Sequence, residues 1–137
     1  MPQQQRSIEE ILLANGYYPP EAFAFVQRGL AHTVEKLGRE ARPEGERHVT
    51  GQELCNGLRD LALNEWGRLA RLVLTRLNIR RTDDFGKIVF YLIENSLMQK
   101  RPEDTIDDFS GVFDFVEALD RGFHIDLSEL KDKPAAE

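Results

Sequence analysis

The chemistry-bearing residues that stand out are five arginines, Arg68, Arg71, Arg76, Arg80 and Arg81, in a stretch from Gly67 to Arg81 that holds no acid. A guanidinium is a planar fork that grips a phosphate or a carboxylate through two parallel hydrogen bonds. Arg68 and Arg71 are one helical turn apart, so with the other three they can form one patch for a partner. The plainer reading is a solvated helix face. Between the two lies an electrostatic contact with the segment from Pro102 to Leu130, which has nine acids and one base, Arg121. Exposed ion pairs contribute only about 0.2–1 kcal/mol each. Such contacts, within one chain or across a homo-oligomer, would orient rather than stabilise.

Other candidates carry less. The run Glu103-Asp104-Thr105-Ile106-Asp107-Asp108-Phe109 is rich in the oxygen ligands a hard cation needs, but lacks the glycine and the closing glutamate of a helix–loop–helix calcium site. His32, His48 and His124 have no second ligand at the spacing that places two on one helix face. The single cysteine, Cys55, cannot form an internal disulfide and reads as a small buried hydrophobe. Tyr17-Tyr18-Pro19-Pro20 is either an exposed aromatic surface or packing for a helix corner. Glycine-rich phosphate loops, nucleophile elbows and zinc-ligand clusters are absent. No catalytic, cofactor-binding or metal residue is therefore named, and a non-enzymatic role is expected.

The elements that must position the arginines are helices. Ser7 and Glu10 form a capping-box pattern for a first helix of about residues 8–14, with Ile8, Ile11 and Leu12 on one face and Asn15-Gly16 as its stop. A second, about residues 20–37, starts on proline and carries Phe23, Val26, Leu30, Val34 and Leu37 at three-and-four spacing. Residues 39–47 mix charge with proline and glycine and read as a solvated linker or mobile loop. Thr50 with Glu53 opens a third helix to Trp66, and Gly67 permits a turn into a fourth, about residues 68–77. There, Leu69, Ala70, Val73 and Leu77 are expected inward, with Arg68, Arg71 and Thr75 outward. Thr82 is expected as the N-cap of a fifth helix, about residues 83–96, the most buried of the set. Residues 97–101 could be a short strand. Val112 to Leu119 fits either a strand or a helix closed by Gly122, and residues 128–137 read as a disordered tail.

The run His48-Val49-Thr50-Gly51-Gln52-Glu53-Leu54, continuing through Gly57-Leu58-Arg59-Asp60-Leu61-Ala62, Trp66-Gly67 and Arg80-Arg81-Thr82-Asp83-Asp84-Phe85-Gly86, resembles a family of uncharacterised bacterial proteins of planctomycete and verrucomicrobial type. The resemblance spans roughly residues 48–115. It implies a bacterial, intracellular setting and brings no activity, cofactor or partner with it.

Helices three to five, followed by a loop and a second apolar run, are also similar in order to a winged helix-turn-helix. Charge opposes a nucleic-acid role: the would-be recognition helix has Asp83, Asp84 and Glu94 against Lys87, and the would-be wing has Glu103, Asp104, Asp107 and Asp108. A chain of 137 residues, 41% hydrophobic and 31% charged, suits one folded domain over residues 1–130, with 1–38 a helical pair, 39–47 a linker and 48–130 the core. The net charge of −6 disfavours nucleic acid and anionic membranes. With no long apolar span and no signal-peptide core, a cytoplasmic location is expected. The expected fold is mainly α, five helices with a helix-turn-helix-like core and at most a short C-terminal β-hairpin. The expected function is a protein-interaction or scaffold domain, its partner either another protein or a second copy.

Overall fold

A computed structural model describes residues 6–121, except the side chain of Glu44. Residues 1–5, the expected stop at Gly122, His124 and the expected disordered tail lie outside the described residues. Among the described residues the architecture is mainly helical, with five α-helices: α1 (Ile8–Leu13), α2 (Pro20–Lys36), α3 (Gly51–Trp66), α4 (Ala70–Arg76) and α5 (Thr82–Glu94). Among the described residues no helix is long and apolar enough to cross a membrane.

Helix α1 begins as its capping box dictates. Ser7 Oγ accepts from the Glu10 amide at 3.1 Å, and the Glu10 carboxylate accepts from the Ser7 amide at 3.0 Å. Its apolar face is narrower than its periodicity suggests, because Ile8 stays exposed and only Ile11 and Leu12 are partly covered. The Tyr91 hydroxyl, donating to Ile11 O at 2.6 Å, ties this short helix to α5. Gly16, at φ +77°, turns the chain into α2.

Helices α2 and α3 form the main packing contact, and they approach backbone to backbone. A Cβ placed on Gly29 would lie 2.1 Å from Leu58 Cδ2, and one on Gly57 would lie 1.8 Å from Thr33 Oγ1. This approach rotates α2 so that Ala22, Phe23, Phe25, Val26, Gly29 and Thr33 are buried. Leu30 and Val34 are left half-buried and Leu37 exposed. The two N-terminal helices thus pack on the core of their own chain.

Residues 39–47 are not a free linker. They contain two 3₁₀ turns, Arg39–Ala41 and Glu44–Glu46. Arg39 forks onto both oxygens of Glu53, at 2.9 and 3.0 Å, while also donating to His48 O at 2.7 Å. Glu53 also completes the capping box with Thr50 that starts α3.

Helix α4 keeps most of its expected facing, with Leu77 packed on the core and Arg68 and Arg71 exposed, but departs at Leu69. Ala70 and Leu74 face the core, whereas Leu69 and Leu72 are 57% and 54% exposed. A 3₁₀ turn at Gly67–Leu69 precedes the helix, and its three-residue period shifts the face presented before α4 begins. In α5 seven of thirteen residues are buried, the highest fraction of the longer helices. Thr82 is not its N-cap: it is the first helical residue, fully buried, donating to Phe109 O at 2.7 Å and accepting from the Val112 amide at 3.0 Å. The capping role falls to the Asp84 carboxylate.

The C-terminal hairpin is not found among the described residues. Residues 97–101 are irregular, Ile106–Phe109 is a 3₁₀ turn and Val116–Arg121 a π-helical turn. The reason is tertiary. Phe109 seats in a notch where a Cβ on Gly86 would come within 2.8 Å of its own Cβ, and a Cβ on Gly51 within 3.1 Å of its ring. Neighbouring backbone groups then bond to Thr82 instead of to a second strand.

Candidate functional site

The arginine corner is set from beneath by a buried polar pair. The Tyr18 hydroxyl donates to Asp84 Oδ1 at 2.5 Å, and Asp84 Oδ2 accepts from the Arg80 and Arg81 amides at 2.8 and 3.2 Å. Tyr18 is 5% and Asp84 7% exposed. Burial, reinforced by the hydrogen bond to Asp84, raises the Tyr18 hydroxyl pKa well above its ordinary value. Asn78, at φ +66°, donates from its side-chain amide to Tyr17 O at 2.7 Å and fixes the turn into this corner.

Arg71, Arg80 and Arg81 come together around a hollow of about 360 Å³ that Thr75, Phe113, Asp114 and Val116 also line. Arg68 and Arg76 are not part of its lining and stay exposed on the outer side of the segment. The acidic segment reaches this face within the same chain, through Arg71 Nε and Asp120 Oδ2 at 2.8 Å. Arg68, Arg76, Arg80 and Arg81 make no ion pair among the described residues. Leu72 follows Arg71 about 100° around the helix, and with Leu69 it adds exposed apolar area beside these charges.

A second concavity, of about 320 Å³, opens between α2, α3 and α5. Its walls are apolar: Leu30 and Val34 from α2, Leu54 from α3, Val89 and Ile93 from α5, with Phe109 at one side. Its rim is polar. His48 Nε2 meets Asp104 Oδ1 at 3.1 Å, Asp104 Oδ2 accepts from the Arg101 amide at 2.8 Å, and the Arg101 guanidinium donates to Gly45 O at 2.9 Å. Sequence reasoning did not find this cleft, because its lining comes from well-separated stretches. The available signal was the pair Leu30 and Val34, apolar at helical spacing yet only half-covered.

The remaining candidates fall into structural places. Cys55 is fully buried, and burial, with the charge of Asp83 adding, pushes its thiol up to about 12. His32 is partly buried on α2, its Nε2 enclosed without a partner. Asp104 and Asp108 accept backbone N–H groups of their own turns, at 2.8 and 3.0 Å. Tyr18 packs the helix corner while Tyr17 stays 55% exposed, the two rings edge to face at 4.8 Å.

No family model, curated protein or solved structure matches this chain. Among the described residues no three His, Cys, Asp or Glu side chains converge as metal ligands would. What the arginine face offers chemically is fixed positive charge next to apolar surface.

Proposed function

We propose that this protein is an interaction domain whose α4 face docks an acidic amphipathic helix of a partner protein. The observation that carries the reading is the outward placement of Leu69 and Leu72 between Arg68 and Arg76, exposed arginines that make no ion pair among the described residues. Apolar anchors flanked by complementary charge suit a helix that presents leucines on one side and carboxylates beside them. The arginines would set register and association rate, and the leucines most of the affinity.

A nucleic-acid reading remains as the second proposal, since Arg71, Arg80 and Arg81 share a hollow that could take a phosphate. It is weakened by α5, where among thirteen residues only Lys87 and Glu94 are exposed, so that helix has little surface to lay in a groove.

The test is fluorescence anisotropy with a labelled helical peptide alternating leucine and glutamate faces, run beside a mixed DNA duplex and a light-scattering measurement. The expected result is saturable peptide binding that weakens with salt. Leu72→Ser should cost about 1 kcal/mol or more, as should Arg68→Glu with Arg76→Glu, with thermal stability unchanged. Binding of duplex DNA in preference to the peptide would overturn the proposal in favour of nucleic acid. A dimer dispersed by Leu72→Ser would overturn it in favour of a second copy, and the absence of all three would refute a docking role for this face.

A further inference from the structure

We propose that the cleft between α2, α3 and α5 binds a small carboxylate with an apolar tail. Three observations support that ligand class, and none of them involves the α4 face. The walls are aliphatic and aromatic, and the volume of about 320 Å³ is at the lower end of the range, about 300–1,000 Å³, in which small-molecule sites fall. Leu30, Val34 and Ile93 stay half-exposed there, which leaves apolar surface that an acyl chain would cover. The mouth is cationic, with Arg47, Lys100 and Arg101 around it.

The state of the charges at the mouth determines the sign of the ligand. Arg47 donates to Arg42 O at 2.8 Å, Lys100 to Arg101 O at 3.3 Å and Arg101 to Gly45 O at 2.9 Å. Among the described residues all three meet neutral carbonyls and none is paired with a carboxylate. The two acids at the mouth accept donors of their own rim. Asp104 faces His48 and the Arg101 amide, and Asp108 accepts the Thr105 amide. A carboxylate arriving here finds unneutralised donors. The three cations outnumber the two carboxylates at the mouth, which favours an anion over an ammonium. The His48–Asp104 contact joins the two segments that form the mouth, residues 47–51 and 98–108, so the opening has a fixed rim.

The experiment is calorimetric titration of the full chain with hexanoate, octanoate and decanoate, and with decanol and decylamine as headgroup controls. Affinity should rise up to about fourfold for each added methylene until the cleft is filled, and then level off. Decanoate should bind about tenfold more tightly than decanol. Lys100→Glu, a change at an exposed position, should lower decanoate affinity about tenfold and leave decanol unchanged, and Ile93→Trp should block both by filling the cleft. Arg68→Glu with Arg76→Glu should leave decanoate binding intact, which separates this site from the α4 face. No saturable heat with any probe would overturn the proposal. Decanol or decylamine binding as tightly as decanoate, or decanoate binding indifferent to Lys100→Glu, would equally refute a carboxylate site.

Discussion

Replacing Tyr18 with phenylalanine removes one hydroxyl and almost nothing else, so its effect isolates the hydrogen bond to Asp84. That bond, at 2.5 Å between groups 5% and 7% exposed, has no water to replace it. A hydrogen bond to a charged group contributes about 1.5–3 kcal/mol net. Asp84 Oδ2 keeps the Arg80 and Arg81 amides in the variant, so the carboxylate loses one of three donors and is not stranded. The expected cost is about 2–3 kcal/mol at neutral pH. For a chain of this size that corresponds to a fall of roughly 6–12 °C in Tm. Circular dichroism melts and urea titrations measure both. The pH dependence supplies a second check with a definite sign. In the folded protein the hydroxyl ionises only above its ordinary value of 10.0, whereas in the unfolded chain it ionises near that value. The contribution of Tyr18 is therefore fully present below pH 10 and lost above it, at about 1.4 kcal/mol per pH unit while the unfolded state alone ionises. The advantage of the native protein over Tyr18→Phe should narrow in that window. A variant within about 0.5 kcal/mol of the native protein, or a Tyr18 ultraviolet ionisation step completed at its ordinary value before unfolding, would refute the buried-lock reasoning.

Three further outcomes are expected. Gly57→Ala should destabilise by about 2–4 kcal/mol despite alanine's better helix propensity, because the new Cβ must displace the Thr33 hydroxyl, which donates to Gly29 O at 2.7 Å; urea unfolding measures it, and an unchanged midpoint would mean α2 and α3 do not approach so closely. Phe109→Ala should cost about 3–5 kcal/mol and also loosen the cleft wall, read as faster amide exchange in α5. Cys55 should resist thiol reagents at pH 8 until urea unfolds the chain. Because its folded pKa of about 12 lies above the unfolded 9.0, its contribution to stability is retained below pH 9 and lost as pH rises through that window; rapid native-state labelling would contradict the burial.

The parts of the fold legible in sequence are those decided locally. The Ser7–Glu10 and Thr50–Glu53 boxes and the proline start of α2 lie where expected because a cap is made by residues three apart. Rotation was not legible. The burial of Gly29 and Thr33 in place of Leu30 and Val34 depends on which residue of α3 sits opposite, and the exposure of Leu69 depends on a 3₁₀ turn that no periodicity announces. Thr82 shows the same limit, since a threonine before two aspartates reads as a cap until its hydroxyl has a carbonyl 27 residues away to bond. For the arginines, sequence located the basic stretch but could not divide it. Only the fold shows that three line a hollow and two do not, and that Arg71 is engaged by Asp120.

The seating of Phe109 has a consequence for how this chain can vary. One ring rests on two positions that tolerate no side chain, Gly51 at the start of α3 and Gly86 in the first turns of α5, while its carbonyl is held by Thr82. Positions 51 and 86 and the turn at 108–109 therefore constrain one another across more than fifty residues. In any sequence that shares this fold, a side chain gained at 86 should be accompanied by glycine at 109 or by a displaced turn, and one gained at 51 by a change at both 108 and 109. A correlated change of that kind would identify related chains even where the composition of the helices has diverged.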